Sequence, residues 1–300
     1  MAIYYKYYSY LPLEYFNKPT IKLSSPTHLN DPFESLLPSD INAYIDNFAQ
    51  QEYMDQDVAK HIDKASLVNS MKNIMKIHGV TSLSETQRNL LMWAHYADNH
   101  KGLCIGYDTD VIFREMDKAF LRDEGILRKI KYNNVRHEDY GHLQETINTK
   151  GLYEYLLYGL MLTKGDEWIY EKEFRYIISY HNASYLQIDG GKDNEDLQKD
   201  LQKMLTFNRL RKDEDYENRY LKASDKNVFS FGFLNKYKEA SYFLYINPES
   251  IKRIYFGCRT DSKYIKSIKE LLSTEKHPLK SANIEKFELS QKRFELYVPK

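Results

Sequence analysis

Cysteine, glycine and tryptophan are scarce in this 300-residue chain, which has two Cys, 12 Gly and two Trp. Two cysteines, Cys104 and Cys258, make no disulfide framework, and the opening MAIYYKYYSY has neither the basic leader nor the apolar run of a secretory signal, so a cytoplasmic protein is expected. No window reaches about 18 consecutive apolar residues, the least a spanning helix usually needs, which argues against a transmembrane role. Nor does one charge dominate. The 43 Lys+Arg balance 43 Asp+Glu, which removes the overall attraction to nucleic acid or anionic lipid and leaves polyanion binding to a local site. Also missing are a GxxxxGK[ST] loop, a GxGxxG after a strand, HExxH, a CxxC pair and GxSxG. A Walker-type NTPase, a dinucleotide Rossmann enzyme, a zincin and a serine hydrolase are therefore disfavoured.

What is present describes a globular chain: 42% hydrophobic and 29% charged residues can bury a core without covalent staples. A single domain over 1–300 is expected. The 27 tyrosines favour strands and half-buried surfaces, since each ring is apolar and each hydroxyl needs a partner. Lys, Asn, Ile and Tyr abound together in AT-rich coding sequence, so the tyrosine count alone carries no function.

The pattern predicts strands at 3–8 and 20–25, the second stopped by Pro26, then a turn at Asn30-Asp31-Pro32. Apolar residues three and four apart predict two helices over 39–77, ended by His78-Gly79. A strand at 80–84, a helix at 87–97 and strands at 102–107 and 127–132 follow. Leu152, Tyr155, Leu156, Gly159 and Leu160 mark a core helix over 143–162, and strand character resumes at 174–178. The 190–240 stretch, most polar at 190–227, reads as a charged, exposed and mobile insertion with little to bury. Strands at 251–256 and 294–298 flank a helix at 262–273. With strands at both ends and helices irregularly interspersed, the expected class is α+β, with a central mixed, largely antiparallel sheet flanked by helices.

Three stretches concentrate chemistry. Between a helix and a strand stand Trp93, His95, Tyr96, Asp98 and His100; the two histidines are five apart, on different helix faces, and cannot chelate one metal in the i, i+4 manner. The plainer account is that Trp93 and Tyr96 pack inward while His95 serves a backbone carbonyl. Lys164 to Arg175 holds Trp168, Glu171 and Glu173; in an extended chain Glu171, Glu173 and Arg175 share a face, as an acid–base pair or a surface ion pair requires. The loop from Ser24 and Ser25 to Asn30, Asp31 and Glu34 adds two carboxylates and an amide, either for chemistry or to cap a turn. Both tryptophans fall in these clusters, which favours a shared aromatic-lined pocket. Asn30, Asp31, His95, Tyr96, Glu173 and Arg175 are expected around one cleft.

These segments together resemble a bacterial family known as domain of unknown function 2971. The likeness lies in Tyr5-Lys6-Tyr7, Leu23-Ser24-Ser25-Pro26 with Asn30-Asp31-Pro32-Phe33-Glu34, Met92-Trp93-Ala94-His95-Tyr96-Ala97 through Gly102 to Tyr107, Trp168 to Arg175, and Ile254-Tyr255-Phe256-Gly257. The resemblance implies a bacterial, cytoplasmic setting and a neighbourhood of phage-defence and toxin-like genes. The layout is also similar to that of ADP-ribosyltransferase-like enzymes, which bind NAD in a split sheet and act on a nucleic acid, a protein or NAD itself. Tyr5 or Lys6 would be the polar residue of the first strand; Ser82, Ser84 and Tyr96 the central element; Glu173 the catalytic glutamate, with Glu171 as its rival. Tyr96 and His95 join Glu173 as candidate catalytic residues, and Tyr5, Lys6, Ser25, Asn30, Asp31, Trp93 and Arg175 as candidate substrate contacts. Two alternatives stand beside it: a metal-dependent nuclease using Asp31, Glu34, Glu173 and one histidine, and a non-catalytic sensor whose 190–240 segment binds a partner.

Overall fold

A computed structural model of the chain describes residues 2–34, 36–50, 54–113, 125–135, 152, 156, 159–223 and 232–299. Its larger sheet has seven strands in the order β14 (Asn283–Lys286), β13 (Ile251–Phe256), β4 (Leu103–Asp108), β1 (Ile3–Tyr8), β3 (His78–Ser84), β8 (Glu173–Ser179) and β5 (Arg128–Lys129). Only the β13–β14 pair is parallel, so the sheet is mixed and mostly antiparallel. A five-stranded antiparallel sheet runs β10 (Leu210–Lys212), β11 (Arg219–Lys222), β9 (Tyr185–Ile188), β12 (Ala240–Tyr245), β2 (Thr20–Leu23). Two short pairs complete the strands: parallel β6 (Lys131–Tyr132) with β7 (Thr163–Lys164), and antiparallel β15 (Glu288–Leu289) with β16 (Leu296–Tyr297). The class is α+β, as the interspersed pattern predicts.

Alternation explains why the large sheet is covered on both faces. Along β4, Leu103, Ile105 and Tyr107 enter the main core while Cys104 faces the opposite cluster; along β13, Ile254 and Phe256 do the same against Tyr255. The main core fills the space toward β2, β9 and β12. There the hydroxyls of Tyr8 and Tyr15 meet that of Tyr107 at 2.7 and 2.6 Å, which shows how buried tyrosines satisfy one another. Ser24 and Val80 exchange two backbone bonds of 2.8 Å, joining β2 to β3. Beside them a Cβ on Gly79 would stand 2.8 Å from both Leu23 Cβ and Tyr180 Cε1, so only glycine lets the sheets approach.

Helices α1 (Leu13–Asn17), α2 (Ile41–Ala49), α3 (Gln56–Lys60), α4 (Lys64–Ile77), α5 (Leu90–Tyr96), α6 (Glu195–Thr206) and α7 (Ser262–Leu272) surround the sheets. Where two helices are expected over 39–77 there are three, because Asp55 and Asp63 each cap a new start: Asp55 Oδ1 accepts from Asp57 N at 2.9 Å, and Asp63 Oδ1 from Ala65 N at 3.1 Å. Of the expected 143–162 helix, Leu152, Leu156 and 159–161 are helical, and Leu152, Leu156 and Leu160 pack with Ile45, Phe48 and Met71. Its part before Leu152, and Tyr155, lie outside the described residues.

Three local expectations need correction. The 127–132 strand divides, β5 joining β8 while β6 joins β7. The 294–298 strand shrinks to Leu296–Tyr297, with Phe294 fully exposed. The charged stretch does have something to bury: α6 puts Leu197, Leu201 and Met204 into the main core, and β10 and β11 add Leu210 and Tyr220. Its charges occupy one helix face and its leucines the other, which an average over composition hides.

Candidate functional site

Three distant segments meet beside β8. The first is the loop after β2. Asp31 Oδ1 accepts the Phe33 N–H at 2.9 Å, an Asx turn that carries the chain into Glu34. The second is α5, capped by Asn89, whose Oδ1 accepts from Leu91 N at 2.9 Å while its Nδ2 donates to Tyr170 O at 2.5 Å. That bond ties the helix to the third segment, which runs through a 3-10 turn (Asp166–Glu171) into β8. Lys172 between them is left-handed at φ +46°, so Glu171 does not continue the strand alternation expected for 171–178.

The three segments close a buried charge network. Arg175, 2% exposed, grips both oxygens of Glu173 through Nε at 2.6 Å and Nη2 at 3.0 Å, donates Nη1 to Met161 O at 2.8 Å, and pairs with Glu34 Oε2. Lys164, 6% exposed, places its ammonium 2.6 Å from Glu171 Oε2, 3.3 Å from Glu173 Oε2 and 3.4 Å from Glu34 Oε1, and 4.5 Å from the centre of the Trp168 ring. Glu171 Oε1 receives the Tyr96 hydroxyl at 2.5 Å, and the Asn30 amide donates to that hydroxyl oxygen at 3.3 Å. Three carboxylates thus share two cations.

This imbalance separates the two glutamates that the sequence leaves as rivals. Burial pushes the Glu173 carboxyl up, but Arg175 and then Lys164 outweigh it and hold the group down at about 2. For Glu171 burial prevails over the opposing Lys164, and neighbouring Glu173 adds to the rise, so its carboxyl titrates above the usual range. Glu173 is therefore a clamped counter-ion, whereas the Glu171 carboxyl is raised by burial. Burial, then Glu171, raises the Tyr96 hydroxyl, which remains a donor.

Against the network lies a cleft of about 430 Å³, lined by Asp31, Pro32, Phe33, Glu34, Leu160, Thr163, Lys164, Glu167, Trp168 and the amides Asn133 and Asn134. Of the six residues expected around one cleft, Asp31 lines it, while Asn30, Tyr96, Glu173 and Arg175 belong to the adjoining network and exposed His95 stands beside Tyr96 and Tyr170, at 6.4 and 6.2 Å between ring centres. Ser82 supports Glu173 by a hydrogen bond, and Ser84 donates to Glu171 O at 2.7 Å. Lys6 donates to Ser82 O at 3.1 Å, and burial lowers its ammonium to about 8.

Other candidates lie elsewhere. Trp93 is wholly buried, its indole N–H on Gln87 O at 2.8 Å and its ring against Tyr7 and Phe287; of the two tryptophans only Trp168 lines the cleft. Tyr5 packs toward Tyr255 in the same cluster. Ser25 caps a 3-10 turn (Pro26–His28) in a separate cavity of about 50 Å³. What sequence reading misses is Lys164 as the hub: it stands in the dense 164–175 stretch, yet nothing local announces that a lysine will be buried among carboxylates.

No group of three His, Cys, Asp or Glu among the described residues is arranged to hold a metal ion. The ligand set of the nuclease alternative is otherwise engaged, with Glu34 and Glu173 on Arg175 and Lys164, whose ammonium stands among the carboxylates a metal would need. Among the described residues no helix is long and apolar enough to cross a membrane.

No curated protein and no solved structure matches the chain. Residues 92–176, which carry Tyr96, Lys164, Glu171, Glu173 and Arg175 and so most of the charge network, match the family described as protein of unknown function (DUF2971).

Proposed function

We propose that the cleft receives a small organic molecule with a planar ring, and that the chain is an enzyme acting on it through Glu171 and Tyr96. The specific form of the proposal is an ADP-ribosyltransferase-like use of NAD. One observation carries it: a carboxyl kept above its ordinary range and held by a tyrosine hydroxyl at 2.5 Å sits behind a cleft walled by Trp168 and Phe33. An aromatic wall suits a flat ring. Cleavage of the nicotinamide bond sends the bonding electrons out with nicotinamide and leaves positive charge on the ribose, which a carboxylate stabilises until water or an acceptor adds. A toxin-like or defence role, with a nucleic acid or protein as acceptor, belongs to the same proposal. The free thiols Cys104 and Cys258 are consistent with the cytoplasmic setting it assumes.

Nicotinamide release from NAD, followed by chromatography, tests the reading. Wild-type protein should release it, alone or with added nucleic acid or protein acceptors, and Glu171→Gln should be slower by about 10²-fold or more. If the folded wild-type protein leaves NAD intact in every arm, the reading fails.

A further inference from the structure

Among its described lining residues, the cleft has spent its charged donors and kept its acceptors. Each of the three carboxylates around Lys164 lies within 3.4 Å of its ammonium, which has three N–H bonds to give. Asn134 is committed both ways to Asp166, donating to Oδ2 at 3.0 Å and accepting the backbone N–H at 3.1 Å, and the Thr163 hydroxyl donates to Gly159 O at 2.7 Å. The side-chain donors left on the described lining, the Asn133 amide and the Trp168 indole N–H, are neutral. Asp31 is the opposite case. It is 3% exposed, lines the cleft and uses only Oδ1, on the Phe33 N–H, so that Oδ2 has no partner among the described residues. Exposed Glu167 adds a second carboxylate to the lining, and Phe33, 61% exposed, presents an aromatic ring.

From this we infer that the cleft selects an organic cation, with the Asp31 carboxylate and the rings of Trp168 and Phe33 as its partners. The inference rests on the cleft being a small-molecule site and adds the charge of its ligand. Carboxylate and aromatic faces together attract a flat pyridinium or an alkylammonium. Lys164 does not reverse the sign, because it and Arg175 are outnumbered by Glu34, Glu171 and Glu173 before Asp31 and Glu167 are counted. Among the described lining residues a phosphate finds no charged donor that is not already paired with a carboxylate. In the NAD reading it is then the oxidised nicotinamide ring, a pyridinium, that enters, and the pyrophosphate stays outside.

Two probe pairs differ in charge but little in shape: 1-methylnicotinamide, a permanent cation, against nicotinamide, and benzyltrimethylammonium against benzyl alcohol. Calorimetric titration of the full chain should show the cation binding at least tenfold more tightly in one pair or both; the first pair reports a pyridinium ligand, the second an aliphatic ammonium. Asp31→Asn keeps the Oδ1 turn and should abolish the preference at an unchanged melting temperature; Glu167→Gln, on the exposed rim, should reduce it several-fold and serves if the first variant does not fold. Equal or tighter binding of both neutral probes, no binding of any probe at millimolar concentration, or a preference unchanged in the folded variants overturns the inference. NAD consumption is read separately: a cation preference without NAD cleavage refutes only the proposed enzyme, and NAD cleavage without a cation preference refutes only this inference.

Discussion

Tyr96 donates its hydroxyl proton to Glu171 Oε1 across 2.5 Å, joining the end of α5 to a turn 75 residues later. Lys164 holds the other carboxylate oxygen at 2.6 Å. Two donors thus fix one buried carboxyl, and the second glutamate two residues on is given over to Arg175. The division of labour arises from burial and partner count, since both residues are glutamates on one short segment.

The hydrogen bond from Tyr96 holds the Glu171 carboxyl down against burial. Tyr96→Phe should therefore move the Glu171 titration to higher pH, with a stability loss of about 1 kcal/mol for the lost bond. Carbon-detected NMR of the glutamate carboxyls reads the shift without any activity assay. An unmoved Glu171 titration means that the hydroxyl does not act on it.

Glu173→Gln leaves Arg175 buried without its bidentate partner and should cost about 3–5 kcal/mol in urea unfolding. Glu171→Gln removes the surplus negative charge, leaving Glu34 and Glu173 to balance Lys164 and Arg175, and should cost clearly less. Equal losses would show that the two carboxylates carry the fold alike.

Acid should unfold the protein partly through Glu173. Its folded carboxyl titrates at about 2, well below the ~4.3 of an unfolded glutamate. The stability it contributes is present above that unfolded value and is lost as pH falls toward 2. Glu171, raised on folding, works in the other direction: it costs stability as pH rises through the usual carboxylate range. Unfolding free energies measured from pH 5 downward should fall less steeply in Glu173→Gln than in wild type, and a parallel decline in both proteins would discredit the assignment.

The charged stretch is tied down by α6. Leu197, wholly buried in the main core, should cost about 2–5 kcal/mol when changed to Ala. A change near zero in chemical unfolding would return the segment to the status of a loosely attached excursion.

Much of the site was legible residue by residue. Asn30, Asp31, Tyr96, Glu173 and Arg175 stand out because polar and aromatic groups crowd short stretches between predicted elements, and a network crossing those stretches joins all but Asp31, which lines the adjoining cleft. Trp93 misleads for a physical reason: a tryptophan in a polar stretch reads the same whether its ring faces a cleft or the core, and here the core takes it. Strand β12 passes unnoticed because its partner β2 lies more than 200 residues away. No local pattern records such a pairing.

Local chemistry therefore settled the turn at Asn30-Asp31-Pro32, the helices α5 and α7 and the strands with period-two alternation, since those depend on neighbours within a few residues. Convergence did not follow from it. Glu34, Lys164 and Arg175 come together only when β8 is laid beside β3 and the loop after β2 folds over them. Burial then decides what each charge does: the same glutamate side chain is a clamped counter-ion held low at 173 and a raised carboxyl at 171, because desolvation and the nearest cation are properties of the folded chain alone.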